Sequence, residues 1–134
     1  MFNKSKYELY GLTIYESPGG RQYAVGTEEQ ADEAARLYCR DSLWAFRPSF
    51  VIDYCPPAIR REPVEKAIAV ACESLCEDAN ELIAVVVGDR LGELLDDAVS
   101  CDGRGHFLAS YDGREISSDE IEGLPVGLLA YRLN

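Results

Sequence analysis

Asp102-Gly103-Arg104-Gly105-His106-Phe107-Leu108-Ala109-Ser110-Tyr111-Asp112-Gly113-Arg114-Glu115-Ile116-Ser117 is the stretch on which the fold class turns. It follows a long region of helical patterning and returns to strand chemistry. The tripeptide Asp-Gly-Arg occurs in it twice, at 102–104 and 112–114, and Asp-Gly is a strong signal for a two-residue hairpin turn. The reading is a strand over about 106–111, a tight turn at Asp112-Gly113 and a short return strand over 114–117. An acidic loop from Ser118 to Gly123 then leads to a last strand around Leu128 to Leu133. The repeated tripeptide is turn chemistry recurring, not a duplicated domain.

The other end of the chain also reads as strands. Tyr7 to Glu16 is rich in aromatic and β-branched residues, with Gly11 marking a bulge or close contact inside it. Ser17-Pro18-Gly19-Gly20 is a turn, and Arg21 to Val25 completes an N-terminal hairpin. Between the two strand regions the pattern is helical. Thr27-Glu28-Glu29-Gln30 is a capping box opening a helix expected to reach Phe46, with Ala31, Ala34, Ala35, Tyr38, Ser42 and Ala45 toward the core. Arg47-Pro48 stops it, Ser49 to Tyr54 forms about one helical turn, and Cys55-Pro56-Pro57 is a connector. A second long helix is predicted from Pro63 to Val87, with Val64, Ile68, Ala71, Leu75, Leu82 and Val86 on its apolar stripe. Asp89 caps a third, shorter helix carrying Leu91, Leu94, Leu95 and Val99. Strands at both ends with helices between them define an α+β fold. The expected architecture is one antiparallel sheet of the N-terminal hairpin and the C-terminal strands. Two long helices and one short helix pack on one face, and the whole, 1–134, is a single domain.

Charge narrows the function. The chain has 24 acidic and 13 basic residues, a formal net charge of -11. Residues 1–71 carry nine basic and ten acidic residues; residues 72–134 carry four and fourteen. Such a surplus argues against direct binding to nucleic-acid phosphates or to an anionic membrane, both of which need a basic face. It favours steering toward basic partners. The lysine-containing start, Met1 to Lys6, is not followed by an apolar run, so no signal peptide is expected. The longest apolar run, Leu82 to Val87, is too short to span a bilayer. Five cysteines without a framework pattern are expected as reduced thiols in a cytoplasm.

Candidate chemistry is sparse. His106, the one histidine, lies near Cys101 in sequence, a conceivable nucleophile–base pair without the local signature of a cysteine enzyme. Cys72 and Cys76, four apart on a helix, could join Cys101 and His106 in a zinc site, but cysteine is also a common small core residue. Neither metal nor cofactor is predicted, and no enzymatic constellation stands out. Gly103-Arg104-Gly105-His106 lacks the context of a phosphate cradle, although Arg104 and His106 form an alternative small-anion site. The acidic clusters carry the main functional reading. Glu73, Glu77 and Glu81 recur at helical spacing, about 6 Å per four residues, close to the spacing of phosphates along a strand. Glu93, Asp96 and Asp97 follow, then Asp112, Glu115, Asp119, Glu120 and Glu122. A solvated helix face is normally charged; the unusual feature is that Arg90 is the only basic residue between Cys72 and Gly103. The predicted partner-binding face comprises Glu73, Glu77, Glu81, Glu93, Asp96, Asp97, Asp119, Glu120 and Glu122.

Ser42-Leu43-Trp44-Ala45-Phe46, Asp102 to Leu108, Tyr111-Asp112-Gly113 and Tyr131-Arg132-Leu133-Asn134, with Thr13-Ile14-Tyr15 and Tyr23 to Thr27, resemble a set of small, uncharacterised acidic bacteriophage proteins. The resemblance transfers no catalytic or binding residue. It implies a phage accessory protein acting in the bacterial host cytoplasm. Small acidic phage proteins often inhibit host defences, as anti-CRISPR or anti-restriction factors, by occupying basic nucleic-acid sites. The leading expectation is therefore a stoichiometric inhibitor, a nucleic-acid mimic whose acidic face meets a basic host protein or nucleoprotein complex. Alternatives are a binder of, or enzyme on, a nucleotide signal through Arg104 and His106, and a virion structural or assembly protein. Self-association is left open.

Overall fold

The computed structural model describes all 134 residues. The fold is α+β, with one five-stranded antiparallel sheet built from N-terminal and C-terminal strands. The chain, read above as one domain, falls into two compact units: Met1–Tyr38 with Val99–Asn134, and Cys39–Ala98.

The first unit holds the sheet. Its strands are β1 (Asn3–Leu9), β2 (Leu12–Glu16), β3 (Gln22–Gly26), β4 (Glu115–Ser117) and β5 (Leu129–Arg132), in the order β1-β2-β3-β5-β4. The predicted single strand over 7–16 is in fact two. Leu9 pairs with Leu12, and the two residues between them, Tyr10 and Gly11, both have positive φ, 49° and 93°. That is the backbone of a tight two-residue hairpin loop. Gly11 therefore makes a turn, not a bulge, and the N-terminal hairpin becomes a three-stranded meander.

The helix α1 (Glu28–Asp41) begins as predicted. The Gln30 N–H donates to Thr27 Oγ1 at 3.2 Å and the Thr27 N–H donates to Gln30 Oε1 at 2.9 Å. Each side chain satisfies a backbone donor that a helix start leaves open. Ala31, Ala34 and Ala35 are fully buried against Leu12, Ala24 and Tyr131 of the sheet. Alternate residues of the strands point the other way. Tyr23, Val25 and Ala130 pack there with Leu124, Phe2 and Ile116. The sheet is thus covered on both faces. Helix α1 stops at Asp41, short of Phe46, and the turn Leu43–Ala45 that follows is 3-10. Tyr38 is partly exposed, stacked edge-on to Tyr10 and tilted against Phe107, and Ala45 is exposed.

The deciding stretch departs from its predicted form. Residues 104–108 are not a strand but a short helix, α6 (Arg104–Leu108). The reason lies in burial. Gly105, Phe107, Leu108 and Ala109 are all buried, and a strand would have turned every second one away from the core. The Asp112-Gly113 turn joins this helix, not a strand, to β4: the Gly113 N–H donates to Ala109 O at 2.7 Å and the Arg114 N–H to Asp112 Oδ1 at 3.0 Å. Strands β4 and β5 lie where expected and pair antiparallel.

The second unit is helical: α2 (Pro48–Ile52), α3 (Arg61–Leu75), α4 (Asn80–Val87) and most of α5 (Leu91–Asp102). The predicted helix over 63–87 is broken. Cys76 has φ 50° and ψ -128°, a conformation that costs a non-glycine residue about 1–3 kcal/mol, and a 3-10 turn, Cys76–Ala79, follows. Asn80 explains the interruption. It is buried, its amide donates to Asp41 O at 2.5 Å, and its carbonyl accepts the Trp44 N–H at 2.9 Å. Burial of an amide requires such partners, and meeting them fixes where α4 starts. The break also rotates the apolar stripe. Ile83 and Val87 are buried in α4, while Leu75 and Leu82 are about half exposed.

Gly105 is the tightest backbone approach in the first unit. A Cβ there would lie 2.7 Å from both the Glu115 nitrogen and the Gly113 oxygen, backbone atoms with no freedom to withdraw. Gly105→Ala is expected to cost about 2–3 kcal/mol through overpacking, measured by urea unfolding. Gly19→Ala, where the nearest atom is 3.9 Å from the added carbon, should stay within about 0.5 kcal/mol of wild type.

Candidate functional site

The second unit carries six of the nine predicted acidic positions, and the broken helix rearranges them. Glu73 lies on α3, Glu77 in the 3-10 turn and Glu81 on α4, so the three do not form one straight row at phosphate spacing. Glu81 accepts a hydrogen bond from Arg40 at 2.8 Å. Glu93 is gripped by Arg90 through two hydrogen bonds, 2.9 and 3.0 Å, which hold its carboxyl below the usual range against the opposing effect of burial. Arg90 also donates to Asp53 O at 3.0 Å and lies over the Tyr54 ring. Asp97 accepts the Tyr54 hydroxyl at 2.5 Å, and Asp96 is exposed on α5. Glu73 and Glu77 are exposed without a hydrogen-bond or ion-pair partner. So is Asp78, a position the helical spacing argument passed over because it lies off the i, i+4, i+8 row of Glu73, Glu77 and Glu81.

In the first unit, Asp119 accepts the Gly127 N–H at 2.8 Å and Glu120 accepts the Ser117 N–H at 3.1 Å, closing a capping box. These two carboxylates therefore organise their own loop. Glu122 is exposed.

Arg104 and His106 part company. His106 is exposed, its ring edge-on to Phe107. Arg104 is mostly shielded, 19% exposed at its side chain. Its Nε and Nη2 donate to Glu115 at 2.8 and 3.1 Å, and its Nη1 donates to Asp32 at 2.9 Å, with Glu28 at 3.5 Å. Such two-pronged pairing of guanidinium with carboxylate is among the stronger polar contacts. The buried Tyr131 hydroxyl donates to the same Glu115 carboxylate. Tyr131 stands opposite Glu115 in the β4–β5 pairing. Burial, then the bond to Glu115, push the tyrosine well above its ordinary range. Burial pushes Glu115 up, but hydrogen bonds from Arg104 and Tyr131 and the Arg104 charge together hold it below its ordinary value of 4.5. An open cavity of about 410 Å³ adjoins the cluster, lined by Asp32, Asp102 and Glu115 besides Arg104 and His106. Every nitrogen of the one arginine there is already bonded to carboxylates, so the geometry does not offer an anion an open guanidinium.

No group of three or more histidine, cysteine, aspartate or glutamate side chains is arranged to hold a metal ion, and the conceivable set Cys72, Cys76, Cys101 and His106 is not brought together. No helix is long and apolar enough to cross a membrane. Comparison with known protein families, with curated proteins and with solved structures finds no match to this chain.

Glu115 gives the Arg104 cluster a pH signature. Its folded value is depressed, so its contribution is complete above the unfolded value near 4.5 and is lost as pH falls through the folded value. Glu115→Gln is expected to lower stability at pH 7 by about 2 kcal/mol, discounted for partial exposure. The gap to wild type should close as the pH is taken below 4. Thermal unfolding of both proteins from pH 7 to pH 3 measures it, and a gap that stays constant would contradict the assignment.

Proposed function

We propose that the protein acts by stoichiometric binding, its second unit meeting a partner that is both basic and apolar. One observation carries this reading. Of the ten large hydrophobic residues exposed on the chain, four lie between residues 70 and 85: Val70, Leu75, Leu82 and Val85, exposed by 63%, 49%, 48% and 76%. The partnerless carboxylates Glu73, Glu77 and Asp78 fall within the same stretch. Exposed apolar side chains rimmed by charge are characteristic of protein-interaction surfaces. Here the charge also selects the sign of the partner and would speed encounter.

The broken helix shifts the reading away from a literal copy of a phosphate row. A mixed acidic and apolar surface fits a basic protein subunit better than it fits a site that reads only a backbone of charges. In the phage context that the sequence resemblance implies, such a partner is a basic component of a host defence complex, and occupying it inhibits that complex. Nucleotide binding through Arg104 and His106 draws no comparable support, because Arg104 is held by its own carboxylates.

The test is a triple charge reversal, Glu73→Lys, Glu77→Lys and Asp78→Lys, alongside Val85→Asp. Glu81 is left intact because Arg40 depends on it. Tagged wild type should retain a specific basic host protein from bacterial lysate, identified by mass spectrometry. With that protein purified, association should slow at least about tenfold between 50 mM and 500 mM salt. Both variants should fold and lose the partner. Equal retention by both would remove the proposal.

A further inference from the structure

The first unit holds a second cavity, of about 510 Å³, whose walls include Leu9, Leu108 and Leu133 with the rings of Tyr38, Phe107 and His106. Leu9 ends β1, Tyr38 lies near the end of α1, and His106 to Leu108 come from α6. Charged residues make up 28% of the chain, yet none of the nine residues lining this cavity is an aspartate, glutamate, lysine or arginine. The cavity beside Arg104 shares His106 and Gly113 with it but carries Asp32, Asp102 and Glu115. The second unit's cavity carries Asp53, Arg61 and Arg90. An apolar wall with a few polar groups, enclosing about 300–1,000 Å³, is the usual form of a small-molecule site.

The lining also selects the kind of molecule. The Phe107 ring centre lies 5.8 Å from that of Tyr38 and 5.0 Å from that of His106, with the planes inclined by 41° and 83°. Tyr38 in turn meets Tyr10 edge-on at 6.2 Å. None of these contacts is a parallel stack, and Tyr38 stays 37% exposed, so ring surface remains for another flat ring to pack against. Neither the Tyr38 hydroxyl nor the His106 imidazole hydrogen-bonds to another residue. An aliphatic chain would cover both groups and offer them no partner, at a cost. A heteroaromatic ring with a donor and an acceptor on its edge would match them. Charge is disfavoured. No side chain in the cavity neutralises an anion, and the adjoining carboxylates at Asp32, Asp102 and Glu115 repel one.

We propose that this cavity binds a small, neutral, planar heteroaromatic molecule, its ring packed against Tyr38 and Phe107 and its polar edge met by the Tyr38 hydroxyl and the His106 imidazole. The site lies wholly in the first unit and does not use Arg104. It does not depend on the partner-binding reading above, which concerns the second unit, and either can hold without the other.

NMR titration of the isotope-labelled full-length protein at neutral pH tests it, with three probes: benzimidazole, which has a donor and an acceptor on its edge; benzothiophene, of the same shape but without a donor; and the anionic benzimidazole-5-carboxylate. Benzimidazole should saturate the protein with a Kd of about 1 mM or tighter, shifting the amides of Leu9, Tyr38 and residues 106–113 and leaving those of residues 70–85 in place. The carboxylate should bind at least about tenfold more weakly. Tyr38→Phe and His106→Phe keep a ring at each position. Each should weaken benzimidazole about three- to tenfold, the net worth of one hydrogen bond, and leave benzothiophene within about twofold, a selectivity that a merely structural role would not produce. Ser110→Phe, at an exposed position of the lining, should fill the space and weaken both neutral probes while the spectrum stays that of a folded chain. Shifts that do not saturate, or that map to other residues, would overturn the site. So would a carboxylate probe that binds as tightly as benzimidazole, or wild-type benzimidazole affinity in either ring-preserving variant.

Discussion

The first unit depends on the grip of one arginine. Arg104 begins a helix of only five residues, too short to be stable on its own. What holds it is polar. The guanidinium fork closes on Glu115 of β4 while its third nitrogen reaches Asp32 of α1. One side chain thereby ties together three elements that are remote in sequence. Gly105 then lets the helix backbone press against residues 113–115. The hydrophobic part of this junction is thin, with five alanines among its eight buried members, and alanine contributes little burial per residue. Tyr131 adds the needed bulk, and its hydroxyl ends on the same carboxylate that Arg104 holds. A charge removed from water is tolerable here because every partner is matched.

The second unit follows the same logic with a neutral group. Asn80 is the buried polar residue that determines where one helix stops and the next starts. Its two amide ends bind the backbone at Asp41 and Trp44, and the Arg40–Glu81 pair lies beside them in sequence on both sides. The turn Leu43–Ala45 packs against the turn Cys76–Ala79. The helix interruption is therefore a consequence of packing between turns, and it frees Glu73, Glu77 and Asp78 from a regular array.

These two polar anchors mark the limit of what could be read from the sequence. Local chemistry was legible: the Thr27–Gln30 capping box, the turn at 17–20, the strands β3, β4 and β5, and the α+β class. Each depends on residues within a few positions of one another. The stop read at Arg47-Pro48 was not legible, since α1 ends at Asp41 and Pro48 opens α2. What was not legible depended on distant partners. Nothing in the residues around Asp41 or Ala79 announces that Asn80 will bond back to Asp41. The hydrophobic period ran on through Cys76, so one long helix was the natural reading. Residues 106–111 carry aromatic and apolar types that suit a strand, and only the burial of Phe107, Leu108 and Ala109 in succession rules it out. The acidic positions suffered accordingly. Their surplus and location were visible, but which were spoken for, Glu93 by Arg90 or Glu120 by Ser117, required the folded chain. Glu115 and Tyr131 offered one faint signal, as facing residues of two strands that were both recognised.

The sheet order also bears on how the molecule is made. Strand β5 lies between β3 and β4, so the segment translated last among the strands takes an interior place. Gly26 pairs with Leu129, about a hundred positions later, a long-range closure of the kind that slows folding. During synthesis β1 to β3 must wait with one edge open while the helical segment emerges and compacts. An open edge of that kind is a template for pairing with another chain. Crowded ribosomes making this protein would therefore meet their greatest risk of misassembly in the interval before residues 129–132 leave the exit tunnel.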